Sequence, residues 1–191
     1  MNSEFKLITR ENIETEHICC AFSDKKCVEG YQAKKDLISE RIGEQFHFIK
    51  LDERGKVFIE FVPAEFAWAP VDADDYIFIH CFWVSGKFKG QGYAKKLLQE
   101  CENFAKKNNK KGIVAVCSDK KKPFISDKKF FISRGFEVCD KAEPYFEMVV
   151  KKFDPKYEDP CFKENAKKLE SNFKDGVEVI YSDLCPFNDF H

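Results

Sequence analysis

The sequence predicts an α/β (α+β) chain: a central mixed, mostly antiparallel twisted sheet of about 6–7 strands, flanked by helices. Three observations carry that prediction. Residues 76–98, YIFIHCFWVSGKFKGQGYAKKLL, read as an apolar strand, a glycine-bearing turn and a helix start. Short apolar runs recur up to residue 153 and hold many of the 21 phenylalanines, a residue type that suits a pleated, half-buried surface. Strand, turn, helix and strand then follow one another around residue 90, which suggests parallel neighbours joined by a crossover helix.

The elements follow in order. Residues 5–9 alternate and read as a short first strand. Thr9 or Asn12 can cap a helical stretch through residues 17–21. A second helix over 27–44 places Val28, Tyr31, Leu37, Ile38 and Ile42 mainly on one side. Strands at 46–51 and 56–62 are joined by Asp52-Glu53-Arg54-Gly55, a compact turn sequence. Residues 64–75, with Trp68, Pro70 and Asp72, Asp74 and Asp75, read as a loop: a lid or cleft wall, or a loop packed by its own aromatics. The strand at 76–84 leads through the turn into a helix whose apolar face holds Ala94, Leu97, Leu98, Cys101, Phe104 and Ala105. Its opposite face is polar, with Glu102 four residues before Lys106 for an exposed pair. Residues 113–117 form the next strand. Residues 118–129 are lysine-rich, a short helix over 127–133 ends at Arg134-Gly135, and strands at 136–139 and 145–153 close the unit.

This defines one domain over residues 1–153. Asp154-Pro155 and Asp159-Pro160 mark a boundary, and 154–191 reads as an extension: a helix over 161–173, a strand over 177–181, then Cys185-Pro186-Phe187. Strand followed by Cys-Pro-aromatic is similar to the first βα unit of a thioredoxin-like domain, although Asn188 stands where a second redox cysteine would be.

Composition narrows the function. The 191 residues are 43% hydrophobic, enough for a sizeable core. The 32 basic and 33 acidic side chains nearly cancel, so no general affinity for nucleic acid or membrane is expected. No apolar run approaches the roughly 20 residues that span a bilayer. MNSEFKLITR has no signal-peptide core, so a cytoplasmic location is expected. Nine cysteines without a Cys-x-x-Cys pair, and four scattered histidines, point to free thiols and no metal site. The lysines of 106–111 and 120–129 read as a solvated surface, some of them within reach of a phosphate.

The turn is where chemistry can sit. Gly90 and Gly92 let the backbone bend and approach a ligand, and the N–H groups that open the helix favour an anion. Neither the dinucleotide G-x-G-x-x-G nor a Walker loop is present. Lys89-Gly90-Gln91-Gly92-Tyr93-Ala94 followed by Leu97-Leu98 resembles instead the Q/R-x-x-G-x-G/A motif of the GNAT family of N-acetyltransferases, with Lys89 in place of the usual Arg or Gln. Gly135-Phe136 after a short helix also resembles the family. The element order covers a whole GNAT domain.

That resemblance implies acetyl-CoA as co-substrate and transfer of its acetyl group to a primary amine on a small-molecule or peptide acceptor. Backbone groups of Lys89, Gly90, Gln91, Gly92, Tyr93 and Ala94 would hold the CoA pyrophosphate. Those of Phe82, Trp83 and Val84 would polarise the thioester carbonyl and pair with the pantetheine arm. It permits a homodimer. His80, placed by alternation with Phe78, Phe82 and Val84, matches a histidine of the arylalkylamine branch and is either a general base or a core histidine. The family's tyrosine acid falls on Phe131, which has no proton to give. Cys117, Ser118 and Tyr145 are the alternative donors, unless the thiolate leaves unprotonated. A non-catalytic CoA-binding or redox-linked module is the competing reading. ENIETEHICCAFSDKKC, KKKPFISDKKFF and the C-terminal end are similar to bacterial GNAT proteins with a C-terminal YoaP-like domain.

Overall fold

A computed structural model of the chain describes residues 4–43, 45–120, 122, 125–168 and 185–187. Among them the sheet has seven strands: β1 (Phe5–Leu7), β2 (His47–Leu51), β3 (Val57–Pro63), β5 (Tyr76–Val84), β6 (Gly112–Ser118), β7 (Glu137–Ala142) and β8 (Phe146–Lys152). Their order is β1-β2-β3-β5-β6-β8-β7. All neighbours are antiparallel except β5 and β6, which run parallel and are joined by helix α2 (Tyr93–Lys107). Two-residue strands β4 (Val71–Asp72) and β9 (Cys161–Phe162) pair separately. The remaining helices are α1 (Val28–Arg41), α3 (Lys128–Ile132) and α4 (Glu164–Lys167).

The sheet is covered on both faces. On one, Leu97, Leu98, Cys101 and Ala105 of α2 pack against Ile59, Phe61, Ile77, Ile79, Ile113 and Ala115. On the other, Ile38 of α1 and Ile13, Ile18 and Cys19 of the preceding segment pack against Phe48, Phe58, Val62 and Phe78. Burial of apolar area on this scale, at roughly 25 cal/mol per Å², is the main favourable contribution to folding.

Several elements differ from the sequence reading. Residues 17–21 form no helix: 17 and 18 are irregular and 19–21 turn, with Cys19 at φ 49°, a left-handed conformation that helix propagation does not accept. The buried stripe of α1 is rotated from the expected one: Val28 is 61% exposed, whereas Lys34 is buried. Lys34 can sit there because its Nζ lies 2.6 Å from Glu60 Oε2 of β3, with both side chains at most 2% exposed. Burial pushes the Glu60 carboxyl up, while Lys34 opposes that shift. On α2, Glu102 does not pair with Lys106. It is buried and bonded to Lys151 of β8 at 2.7 Å, while Lys106 lies over the Phe153 ring.

In the extension, Cys161 and Phe162 extend as β9 because Asp72 and Val71 pair with them; of the helix expected over 161–173, Glu164–Lys167 is helical among the described residues, and 169–173 lie outside them. The Tyr76 hydroxyl donates to the Glu158 carbonyl at 2.7 Å, which ties this stretch to the sheet. The strand expected at 177–181 lies outside the described residues.

Breaking the Lys34–Glu60 pair from either side leaves a charge buried without its counter-ion. Lys34→Met and Glu60→Leu are each expected to destabilise the fold by roughly 3–5 kcal/mol, and the double variant to recover most of that loss. Denaturant midpoints of the three variants check this. Additive losses in the double variant would contradict it.

Candidate active site

The site begins with a fault in the sheet. β5 and β3 stay in register from Ile77↔Pro63 to Ile79↔Phe61, and resume at Cys81↔Glu60, so His80 is an extra residue without a cross-strand partner. This bulge reverses the alternation beyond it. Phe78 lies on the α1 face together with His80 and Cys81, but Phe82 and Val84 turn to the α2 face. The common parity expected for Phe78, His80, Phe82 and Val84 therefore breaks after His80.

At the same point β5 leaves β6. Their ladder runs from Tyr76↔Gly112 to Ile79↔Ala115 and no further. Beyond it the strands diverge, and Ser126 bridges Cys117 on the edge that β5 has left. The wedge forms a cavity of about 270 Å³ whose lining includes Phe82, Trp83, Val84, Lys122, Ser126 and Phe130. A second cavity of about 380 Å³ continues along the turn past Gly90, Gly92, Tyr93 and Lys95 to Arg134. Val84, Lys89, Ala94 and Phe130 line both, so the two form one path.

The turn is shaped for close approach. Gly90 and Gly92 have φ 78° and 82°, a region costly for a residue with a Cβ. No atom lies within 4 Å of where a Cβ would stand on either, so their backbone faces open space. Gly92 is the N-cap of α2 and supplies no side-chain cap. The N–H groups of Tyr93, Ala94 and Lys95 thus open the helix without intrahelical acceptors, at the positive end of its dipole. Lys89, Lys95, Lys122 and Arg134 add cationic charge around the path. Gln91 lines neither cavity; its side chain donates to the Lys87 carbonyl at 2.5 Å and braces the turn.

The acid–base candidates lie apart. His80 stacks on Phe46, at 6.5 Å, and meets Phe78 edge to face, at 5.0 Å, on the face away from the wedge. Burial, helped by the charge of Lys34, pushes its conjugate acid down to about 3. Taking a proton from an alkylammonium near pKa ~10 would cost roughly 10 kcal/mol, so this imidazole is a poor base where it stands. Cys117 is fully buried, and burial pushes its thiol up to about 12, so it offers no proton to the wedge. The Ser118 hydroxyl is already committed to the Lys120 carbonyl. Tyr145 is half-buried in the turn before β8, and the Lys122 ammonium sits 4.2 Å from its ring centroid. Lys122 lines the wedge, so Tyr145 touches that lining through Lys122, while Tyr93 lines the second cavity directly. Phe131 packs against Phe136 in the core and also lines the wedge, while its neighbour Phe130 lines both cavities.

Ser126, Phe130 and Arg134 had no role at the site in the sequence reading, and Lys122 entered it only as one of a lysine cluster with some members within reach of a phosphate. The stretch KKKPFISDKKFF contains most of them, but their convergence depends on the divergence of β5 and β6, which no local pattern records. Among the described residues, no group of three His, Cys, Asp or Glu side chains could hold a metal ion. No helix among them is long and apolar enough to cross a membrane.

Comparison with known proteins fits this geometry. The family model described as the acetyltransferase (GNAT) family matches residues 10–124. An uncharacterized N-acetyltransferase, YoaP of Bacillus subtilis (strain 168), is 41% identical over 180 residues, which is 94% of this chain and 71% of that protein. A GNAT-family protein from Desulfovibrio desulfuricans has a similar fold, with TM-score 0.54 and 14% identity over 78% of this chain and 97% of that one. An aminoglycoside 6'-acetyltransferase type Ii is comparable, with TM-score 0.53 and 12% identity over 80% and 99% of the two chains.

Gly92→Glu would force a side chain into a left-handed backbone and set a carboxylate at the helix opening. Acetyl-CoA affinity by calorimetry is expected to fall by more than about 100-fold, with the fold retained. Binding within a few-fold of the parent would remove the turn from the binding path.

Proposed function

The chain belongs to the GNAT family of acetyltransferases, and from that premise we propose that it transfers the acetyl group of acetyl-CoA to a primary amine. The carrying observation is the continuous path from the opened β5–β6 wedge to the unpaired N–H groups at the start of α2. A long, bent thioester with a diphosphate at one end fits that path. The diphosphate would lie on the backbone of Lys89, Gly90, Gly92, Tyr93 and Ala94, with Gln91 bracing the turn and Arg134 and Lys122 adding charge. The pantetheine arm would follow the open edge of β5 past Phe82, Trp83 and Val84 and replace the strand pairing lost beyond Ile79.

The chemistry is an addition followed by an elimination. The amine nitrogen attacks the thioester carbonyl, the carbonyl oxygen takes on negative charge, the nitrogen then gives its extra proton to water, and the C–S bond breaks as the amide forms. A backbone N–H on the free edge of β5 is the group suited to stabilise that oxygen. The ammonium proton leaves to water before attack, since His80 is too weakly basic to take it. Tyr145, reached through Lys122, is the group proposed to protonate the departing thiolate.

A second reading, CoA binding without turnover, is favoured by the burial of Phe131 where the family places a proton donor. One assay separates the two: the 191-residue chain with acetyl-CoA and a panel of alkyl diamines, amino sugars and amino-terminal peptides, followed by release of free thiol. Amine-dependent release supports transfer. Binding of acetyl-CoA without release for any amine supports the second reading.

With an active amine, Tyr145→Phe is expected to lower kcat about 10- to 100-fold with KM changed less than about 3-fold. An unchanged kcat would mean that the thiolate departs unaided. His80→Asn is expected to leave the pH profile of kcat/KM in place. Loss of its limb near neutrality would restore His80 as the base.

A further inference from the structure

The turn that precedes α2 rests on a second turn, the one between β2 and β3. Gly55 closes that second turn, and it is not among the glycines with positive φ. What Gly55 requires is space. A Cβ built on it would lie 2.9 Å from Cζ of Phe88, 3.3 Å from its Cδ2 and closer still to its Cε2. The Phe88 ring therefore occupies the place of the side chain that Gly55 lacks. Phe88 stands two residues before Gly90 and is only 7% exposed, so the contact is a packed one.

Other contacts join the same two turns. Lys87 Nζ lies 2.6 Å from Glu53 Oε1 and 4.8 Å from the Phe88 ring centroid. The Ser85 N–H donates to the Lys56 carbonyl at 3.1 Å. The Lys87–Glu53 pair is exposed and contributes little by itself, which leaves the Phe88 ring as the main anchor. On its other side that ring meets Tyr93, the first residue of α2, edge to face at 5.9 Å. Tyr93 in turn meets Phe5 of β1 at 6.3 Å. Gly90 and Gly92 have no atom within 4 Å of a Cβ position, so nothing packs there to hold them. Their place is set from the flanks, by Phe88 before them and Tyr93 after.

We propose that Phe88 is a positioning residue for the N–H groups of residues 90–95, and that Gly55 is a glycine in order to seat its ring. The contact fixes how the turn stands over the β2–β3 end of the sheet, and through that the affinity for the diphosphate of the co-substrate. This rests on the reading that the turn holds acetyl-CoA. Binding geometry of this kind is sensitive, since a displacement of about 1 Å can cost up to about 100-fold.

The test uses the full chain. Gly55→Ala adds the methyl group that the Phe88 ring excludes, and Gly55→Ala with Phe88→Leu offers that methyl group the space the ring vacates. In ligand-free crystals, Gly55→Ala is expected to displace the backbone of Gly90 and Gly92, and the double variant to restore it. Acetyl-CoA affinity by calorimetry is expected to fall about 10-fold in Gly55→Ala and to recover to within about 3-fold of the parent in the double variant. Ile38→Val, in the core on the opposite face of the sheet, controls for lost stability. Its unfolding midpoint is expected to fall while its acetyl-CoA affinity stays within about 2-fold of the parent. The proposal is overturned if Gly55→Ala leaves Gly90 and Gly92 where they stand in the parent. It is equally overturned if the affinity loss is absent, is matched by Ile38→Val, or persists in the double variant. A parent chain that does not bind acetyl-CoA would refute the acetyl-transfer reading instead, and the ligand-free crystals then decide by themselves whether Phe88 places the turn.

Discussion

The arrangement of this molecule depends on a broken strand pairing. Tyr76–Ile79 of β5 and Gly112–Ala115 of β6 share a parallel ladder, and then the two strands part. The bulge at His80 makes the separation possible, because it lets β5 change direction while still paired with β3. The result is a stretch of strand edge with no neighbouring strand to satisfy it. Residues 82–84 are half-buried or exposed, so the backbone groups on that edge are open to a partner from outside the sheet.

The rest of the fold holds that opening in place. Helix α2 must cross from the end of β5 back to the start of β6, and its apolar stripe fixes the angle at which it does so. Its first turn, without a side-chain cap at Gly92, lines the second cavity, and Ala94 lines the wedge as well. On the opposite face, the Lys34–Glu60 pair lies beneath Cys81, the residue that resumes the ladder after the bulge. A charged pair there is no more stabilising than two apolar side chains would be, but it constrains how α1 meets β3 beside the bulge. Three tyrosine and phenylalanine rings then set where protons can move: Phe46 and Phe78 enclose His80, and Tyr145 stays beside Lys122 near the path.

Local patterns made the strand, turn and helix of residues 76–98 legible, together with β2, β3, β6 and β8 to within a residue or two. The parallel β5–β6 crossover was legible as well, because a strand–helix–strand order leaves little choice of topology. What escaped is non-local. Phe78, His80, Phe82 and Val84 alternate without interruption, so nothing in the sequence marks the bulge that pairing with β3 imposes. β4 and β9 are each two residues long and owe their extended form to each other across about 90 positions of chain. Lys34 and Glu102 read as surface residues until Glu60 and Lys151 are placed beside them. His47 sits in an ordinary strand run, and only the contacts of Phe61 and Phe104 show that its nitrogen is unpartnered.

The central claim is that the opened edge of β5 and the first turn of α2 form one ligand path. Amide hydrogen exchange of the chain with and without acetyl-CoA tests it directly. Protection is expected at residues 82–84, 90–95 and 125–131, with the remaining peptides unchanged. Protection confined to other elements, or saturating acetyl-CoA with no slowing at residues 90–95, would contradict it.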